Sequence, residues 1–292
     1  METIIINGRK IRDQILAEVA IEVGRLPFQP VFCDVLIGNN PVSRQYVEMK
    51  AKTAEKIGIK FHKAEFPEDI TADDLIQEIT KLKNVPNISG VIVQLPLPAG
   101  LVPFKQDILD AVPEYLDVDC LGSKASEKFY EGKNSIGYPT ALACMHIFDT
   151  INTELHFSIK DKKIVVLGRG DLVGKPVSAL LHFAGFNPLV VSSKTENKDE
   201  ILKSADLIIS GIGKGKFLTG EMLKKGVIII DAGTSESNDT SNAKQNIVGD
   251  VELDSVLGLA SYISPVPGGV GPITVAMLLK NVLKVAKNKG YE

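Results

Sequence analysis

The feature that most constrains the fold of this chain is a glycine-punctuated turn placed between a strand and a helix. Residues 164–167 read Ile-Val-Val-Leu, and the chain then runs Gly168-Arg169-Gly170-Asp171-Leu172-Val173-Gly174-Lys175-Pro176 into a stretch with apolar positions at helical spacing. A strand passed directly to a helix belongs to a sheet of parallel strands, because parallel neighbours need a crossover connection. Glycines in such a turn let backbone amides approach a pyrophosphate, and the helix N-terminus favours its negative charge. The spacing Gly-x-Gly-x-x-x-Gly is one residue longer than the common dinucleotide fingerprint, so an unliganded tight turn competes on these residues alone. Gly168, Arg169, Gly170 and Gly174 are the candidate cofactor contacts.

The same alternation continues on both sides of this turn. Runs at 31–37, 60–64 and 88–94 read as strands, and 9–24, 41–57 and 71–83 carry helical periodicity, within a first α/β series spanning residues 3–115. After residue 163 a second series follows: a strand at 164–167, a helix at 173–183, then strands at 188–191, 207–210 and 227–231. The fold class is therefore α/β with two domains, an N-terminal α/β domain and a doubly wound, Rossmann-like one. A length of 292 residues suits two cores better than one. The boundary falls near residues 138–155, where a helical stretch ends in Asn152-Thr153-Glu154. A last helix at 272–287 follows the loop Pro265-Val266-Pro267-Gly268-Gly269-Val270-Gly271-Pro272, which can return the chain to the first domain. Residues 1–138 with 272–292 form one domain in this reading, and residues 139–271 the other. The polar run 235–246 reads as a mobile surface loop.

Composition narrows the function. Hydrophobic content of 44% and charged content of 24% are those of an ordinary globular protein, and no apolar run is long enough to span a bilayer. A formal charge of -3 with interspersed signs offers no basic face to nucleic acid or anionic lipid. Cys33, Cys120 and Cys144 are scattered, and with His62, His146, His156 and His182 they show no metal-ligand spacing, so no metal is expected. The N-terminus enters a strand-like stretch without a leader pattern, and a cytoplasmic location is the expectation.

Cofactor choice is read from the end of the strand after the glycine turn, where NAD-binding folds place an acid about 20 residues beyond the first glycine. Here the segment is Val190-Val191-Ser192-Ser193-Lys194-Thr195, with no carboxylate before Glu196. Ser193 and Lys194, with Arg169 reaching across, suit a 2′-phosphate, and NADP is favoured over NAD.

Chemistry-bearing residues gather in the first half. Ser43, Tyr46 and Lys50 recur at three- and four-residue spacing on one helical face. A tyrosine there can form an aromatic platform beside an amine whose pKa burial or a neighbouring cation would lower. For an isolated Tyr-x-x-x-Lys, a surface helix with a solvated lysine is the plainer reading. Gln94 closes the strand Gly90-Val91-Ile92-Val93, at the end where open α/β sheets bind ligands, and the prolines that follow stiffen the loop. Asp117 and Asp119 lie two residues apart in a segment read as extended, one free to cap backbone and the other to face a cleft.

Taken in order, Tyr46 with Lys50, the run VIVQLPLP, Asp117-Val118-Asp119, GRGDLVGKP and PVPGGVGP closely resemble the methylenetetrahydrofolate dehydrogenase/cyclohydrolase family, over nearly the whole chain. Leu116, Cys120, Gly170 and Ser192 depart from the residues usual in that family at their positions. The resemblance implies a homodimer in which tetrahydrofolate one-carbon derivatives lie in a cleft between a catalytic and an NADP-binding domain. It implies that Tyr46 stacks on the aminobenzoyl ring, Lys50 is the central catalytic group, Gln94 bonds near it and Asp119 holds the pterin edge. Ser43, Pro265, Gly268 and Gly269 join them as substrate contacts. The activity implied is bifunctional: oxidation of 5,10-methylenetetrahydrofolate with NADP, then hydrolysis to 10-formyltetrahydrofolate. A dehydrogenase alone, with altered cofactor preference, and a catalytically silent folate- or nucleotide-binding regulator are the alternatives.

Overall fold

The computed structural model describes residues 2–153, 159–236 and 247–289. In chain order its elements begin with β1 (Ile4–Ile5), α1 (Gly8–Val23), β2 (Val31–Ile37), α2 (Pro41–Lys56), β3 (Lys60–Phe66), α3 (Ala72–Lys81), β4 (Ile88–Val93), α4 (Lys105–Asp110) and α5 (Ser123–Tyr130). They continue with α6 (Pro139–Thr153), β5 (Ile164–Leu167), α7 (Gly174–Phe183), β6 (Leu189–Val191), α8 (Lys198–Ser204), β7 (Leu207–Ser210) and β8 (Ile228–Asp231). The last are β9 (Ser235–Glu236), β10 (Ile247–Val248), α9 (Leu253–Val256), β11 (Tyr262–Ser264) and α10 (Val270–Lys289). The chain divides into two compact units, one of Asp13–Tyr138 with Val275–Glu292, the other of Met1–Arg12 with Pro139–Thr274.

The unit built on residues 13–138 carries a three-stranded parallel sheet in the order β3-β2-β4. Both β2, the central strand, and β4, an edge strand whose Val91 also bridges Asp117, are buried along their whole length. The helix α2 starts sharply: Asn40 accepts hydrogen bonds from the N–H groups of Val42 and Ser43, each at 3.0 Å, and Pro41 occupies the first helical turn. Its buried stripe is Ser43, Val47, Lys50 and Ala54, which follows the helical period and places one lysine among core positions. The C-terminal part of α10 belongs to this unit. There Asn281, 1% exposed, donates from Nδ2 to the carbonyls of Val118 at 2.9 Å and Gly137 at 2.8 Å.

In the other unit six parallel strands stand in the order β1-β11-β8-β7-β5-β6. The chain moves from β5 outward to β6 and then back to β7 on the other side, so β5 marks the point where the strand order reverses. Val165, Ile208, Ile229 and Ile263, one from each of four adjacent strands, anchor the core. The first strand departs from the expected series. Residues 4 and 5 pair with Tyr262 and Ile263 of β11, not with the sheet of the unit that α1 leads into. A two-residue run has no periodicity that could name its partner; the N–H of Ile6 and the hydroxyl of Thr3 fix it by donating to the carbonyls of Ile263 and Ala260 at 2.8 Å each.

The polar segment 235–246 begins in β9, which pairs antiparallel with β10, while residues 237–246 lie outside the described residues, as do Glu154, Leu155 and His156. Among the described residues no helix is long and apolar enough to cross a membrane.

Asn281 ties α10 to two carbonyls that have no water to fall back on. Asn281→Ala strands both acceptors, and a destabilisation of about 3 kcal/mol is expected in urea unfolding followed by circular dichroism. An unchanged midpoint would show that these bonds contribute nothing.

Candidate active site

Lys50 is 7% exposed, and its ammonium has two partners. Nζ donates to Gln94 Oε1 at 2.7 Å and lies 2.6 Å from Oδ2 of Asp34, a residue of β2 with no exposure at all. Gln94 is itself held twice: its Nε2 donates to the carbonyl of Leu95 at 2.6 Å, and its backbone N–H donates to Val35 at 2.9 Å. With Nε2 so engaged, Oε1 is turned to the lysine as an acceptor. Three elements therefore meet at one nitrogen, β2 through Asp34, α2 through Lys50 and the end of β4 through Gln94. Of the two surroundings considered for Lys50, burial and a neighbouring cation, the structure shows burial, and its charged neighbour is the carboxylate of Asp34.

Asp34 was not anticipated, although the sequence carried its signal. It is the one charge in a seven-residue buried strand, and buried charges persist only when paired. Desolvation pushes its pKa up and Lys50 pulls it back, with burial the larger effect. Neither of its oxygens has an aligned hydrogen-bond partner among the described residues, so the Lys50 contact is an ion pair.

Asp117 and Asp119 do not sit in an extended run as expected; they form a turn. Asp117 is buried and accepts from the N–H groups of Gly122 at 2.7 Å, Cys120 at 2.9 Å and Asp119 at 3.3 Å. A short carboxylate side chain that captures its own downstream amides makes a turn in place of a strand. Cys120 adopts φ 62°, the left-handed region that glycine tolerates best, with its thiol fully buried. Burial raises the Asp117 pKa to about 6 against those amide bonds. Asp119 is the carboxylate left over: partly buried, it accepts no hydrogen bond among the described residues. Its pKa is pushed up to about 7, first by desolvation and then by Asp117, with Lys50 opposing.

Tyr46 lies one turn before Lys50 on α2 and is 40% exposed, leaving a ring face open, whereas Ser43 is buried. Pro265, Gly268 and Gly269 belong to the other unit, in the loop between β11 and α10. There they meet backbone: Gly8 donates to the carbonyl of Gly268 at 2.9 Å, and Gly269 to that of Pro265 at 2.8 Å. A Cβ on Gly8 would stand 1.8 Å from the carbonyl oxygen of Gly269.

The glycine turn lies at the carboxyl end of β5, where parallel sheets bind their ligands. Gly168 has φ 117°, and a Cβ on Gly174 would fall 2.3 Å from the Gly168 carbonyl oxygen. Only glycine lets this turn fold back on itself so closely. Among the described residues no side chain caps the start of α7; Lys175 donates to the Gly170 carbonyl at 3.1 Å and Pro176 has no N–H, so the Gly174 amide is the first-turn donor left for an anion. Gly170 and Arg169 are exposed beside it, as are Ser193 and Lys194 beyond β6, where Ser192 and Thr195 close a turn through a 2.9 Å bond. These groups fit a dinucleotide: the amides of Gly170 and Gly174 for its phosphates and the exposed Arg169 and Lys194 for further negative charge.

Two buried carboxylates that sequence reasoning missed hold this edge in shape. Asp250 accepts from Ser210 Oγ at 2.7 Å and from the N–H groups of Ile212 and Lys214 at 2.8 Å each. Asp231, with its pKa raised to about 7 by burial, accepts from the N–H groups of Gly233, Val251 and Asp250 at 2.9, 3.0 and 3.1 Å. Apolar strands ending in a lone Ser or Asp, as at 207–210 and 228–231, were the available sign.

Residues 6–119 match the family described as "Tetrahydrofolate dehydrogenase/cyclohydrolase, catalytic domain", and residues 139–290 match its "NAD(P)-binding domain". The chain is 38% identical over 291 residues to the bifunctional protein FolD of Nautilia profundicola, covering 99% of each. Among solved structures it resembles the bifunctional enzyme FolD of Campylobacter jejuni, with TM-score 0.87, 33% identity, and 97% and 98% of the two chains covered. It also resembles the Trypanosoma brucei dehydrogenase-cyclohydrolase complexed with NADP and an inhibitor, with TM-score 0.89, 32% identity and 99% of each chain covered.

Two measurements check the site. Gly174→Ala should lower the melting temperature by several degrees, as overpacking costs about 1–3 kcal/mol, whereas Gly170→Ala, with nothing nearer than 4.0 Å, should leave it nearly unchanged. Equal effects would refute the close packing of the turn. Asp119 should titrate near 7 by carboxyl 13C NMR. Because its folded pKa is raised, the folded chain holds that proton more tightly than the unfolded chain. Its contribution is complete below the ordinary carboxylate pKa and is lost as pH rises through about 7. Asp119→Asn should therefore flatten the fall in stability between pH 5 and 8, and an unaltered slope would contradict the assignment.

Proposed function

The chain belongs to the tetrahydrofolate dehydrogenase/cyclohydrolase family, and from that premise we propose that it oxidises 5,10-methylenetetrahydrofolate to the methenyl form with NADP and hydrolyses that product to 10-formyltetrahydrofolate. We assign the folate chemistry to the unit of Asp13–Tyr138 with Val275–Glu292, and cofactor binding to the unit of Met1–Arg12 with Pro139–Thr274. The observation that carries the reading is the buried lysine whose nitrogen is fixed by Gln94 and Asp34.

When bound, NADP accepts the hydride from the one-carbon unit. The residues suited to hold it are the turn at Gly168, whose own N–H donates to Val191, with the amides of Gly170 and Gly174 for the pyrophosphate, and Arg169, Ser193 and Lys194 for the 2′-phosphate. Hydride transfer needs positioning above all, and Tyr46 supplies an open ring for stacking the aminobenzoyl group. Asp119, which accepts no hydrogen bond among the described residues, suits the paired N–H donors of an aminopterin edge. The loop from Pro265 through Gly268 and Gly269, and Ser43, complete the proposed folate contacts. In the hydrolytic step, water adding to the methenyl carbon must lose a proton, and Lys50 is the group placed to take it. A homodimer in the cytoplasm is part of the same reading, and light scattering at twice the chain mass would support the dimer.

Lys50→Ala should abolish formyl production, with at least about a 10²-fold loss of cyclohydrolase rate, while circular dichroism stays native. An unchanged decay of the methenyl absorbance in that variant would remove Lys50 from the mechanism. Lys194→Ala should raise KM for NADP about tenfold and leave KM for NAD unaffected, since a charge-assisted phosphate contact is worth about 1.5–3 kcal/mol. Equal changes for both cofactors would argue against a 2′-phosphate contact.

A further inference from the structure

A lysine poised as a base meets a chemical difficulty that the structure resolves. An ammonium has no lone pair, so Lys50 can take a proton from water only if it gives one away. Asp34 is in contact to receive it. Its Oδ2 stands 2.6 Å from Nζ as an ion pair, it is wholly inaccessible to solvent, and neither of its oxygens accepts an aligned hydrogen bond among the described residues, so its capacity to take a proton is unspent. Gln94 Oε1 takes one N–H of Nζ in a hydrogen bond, and Asp34 holds the nitrogen as a close ion pair. Among the described residues Nζ has no further partner, so the rest of its donor capacity is available to a ligand.

We propose that Asp34 is the proton acceptor behind Lys50 in hydrolysis. This rests on the folate reading above. As water adds to the methenyl carbon, the C–O bond forms, one water proton passes to Nζ, and one Nζ proton passes to Asp34 Oδ2. The substrate cation becomes a neutral adduct, the lysine remains an ammonium, and the carboxylate becomes a carboxylic acid, so one positive charge has left the folate as one proton on Asp34. When the adduct opens, its hydroxyl loses a proton as N5 gains one and the C–N5 bond breaks, which yields the formyl group on N10. The proton on Asp34 returns to solvent by the reverse path. Asp34 touches no folate atom and acts through Lys50 as a positioning residue.

The surroundings favour such an exchange. In a low-dielectric site an ion pair and its neutral tautomer lie closer in free energy than in water, and burial raises the affinity of Asp34 for a proton. Few other charges face the pair. On β2 the neighbour is Cys33, whose thiol burial pushes up to about 12. From β3, His62 and Lys63 stand in register with Cys33 and Asp34, and Lys63 is engaged by Glu65 at 2.8 Å. Gln94, beyond β4, is neutral. The turn after Leu116 brings Asp117 and Asp119, and Asp34 adds to the repulsion that raises Asp119.

The test compares wild type with Asp34→Asn, assaying hydrolysis with methenyltetrahydrofolate and oxidation with methylenetetrahydrofolate and NADP, each at saturation from pH 6 to 9. The expected result is a cyclohydrolase kcat reduced about 100-fold, a dehydrogenase kcat reduced at least tenfold less, and loss of the acid limb of the cyclohydrolase profile. Parallel loss of both activities at every pH would make Asp34 structural and overturn the inference, as would a full cyclohydrolase rate in the variant. Wild-type chain inactive on both folates would overturn the functional reading and this inference with it. Should the variant not fold, the wild-type proton inventory in mixed H2O and D2O decides: two protons in flight give a curved plot, and a straight one refutes the relay.

Discussion

A charged amine buried in a parallel α/β layer must be paired, and the pairing of Lys50 organises the unit around it. Asp34 and Gln94 reach one nitrogen from two adjacent strands, and α2 delivers that nitrogen from its buried stripe. Removing one member of such a pair leaves an uncompensated charge that costs about 3–5 kcal/mol, so neither partner is placed idly. The same desolvation that makes the pair costly to break raises Asp34 and Asp119, and groups with perturbed pKa values gathered around one lysine nitrogen are the physical signature of proton chemistry.

The second unit solves a different problem with the same means. A dinucleotide site needs bare backbone amides at the carboxyl edge of the sheet, yet loops built to expose amides tend to lose their shape. Here Asp231 and Asp250 bind amides in the loops after β7 and β8 and at residues 250–251, which fixes the shape of the sheet edge beside the glycine turn. The glycines act by what they lack, since a Cβ at Gly174 has no room against the Gly168 carbonyl.

Much of this was legible in the sequence because it is local. Strand and helix periods located the two series, including the stretch 41–57 that becomes α2, and the ordered motifs with Lys50, Gln94 and the turn at Gly168 named the family. What was not legible depends on pairing across the chain. Position 34 meets position 50 only because α2 crosses back over β2, and nothing in the spacing of either states it. The partner of β1 lies more than 250 residues away in β11, beyond the reach of any periodicity. The turn at Asp117 was read as a strand because alternation looks the same until a side chain captures its own backbone, and Cys120 in a left-handed conformation hid a position that suits glycine.

The central claim is that the Lys50 nitrogen works at the one-carbon unit. A crystal structure of the chain with NADP and a non-reactive folate analogue tests it most directly. The account predicts the one-carbon position within about 3.5 Å of Lys50 Nζ, or one bridging water away, with the Asp34 and Gln94 contacts intact. A folate bound with its one-carbon position turned away from Lys50, and the lysine still paired as it is now, would contradict it.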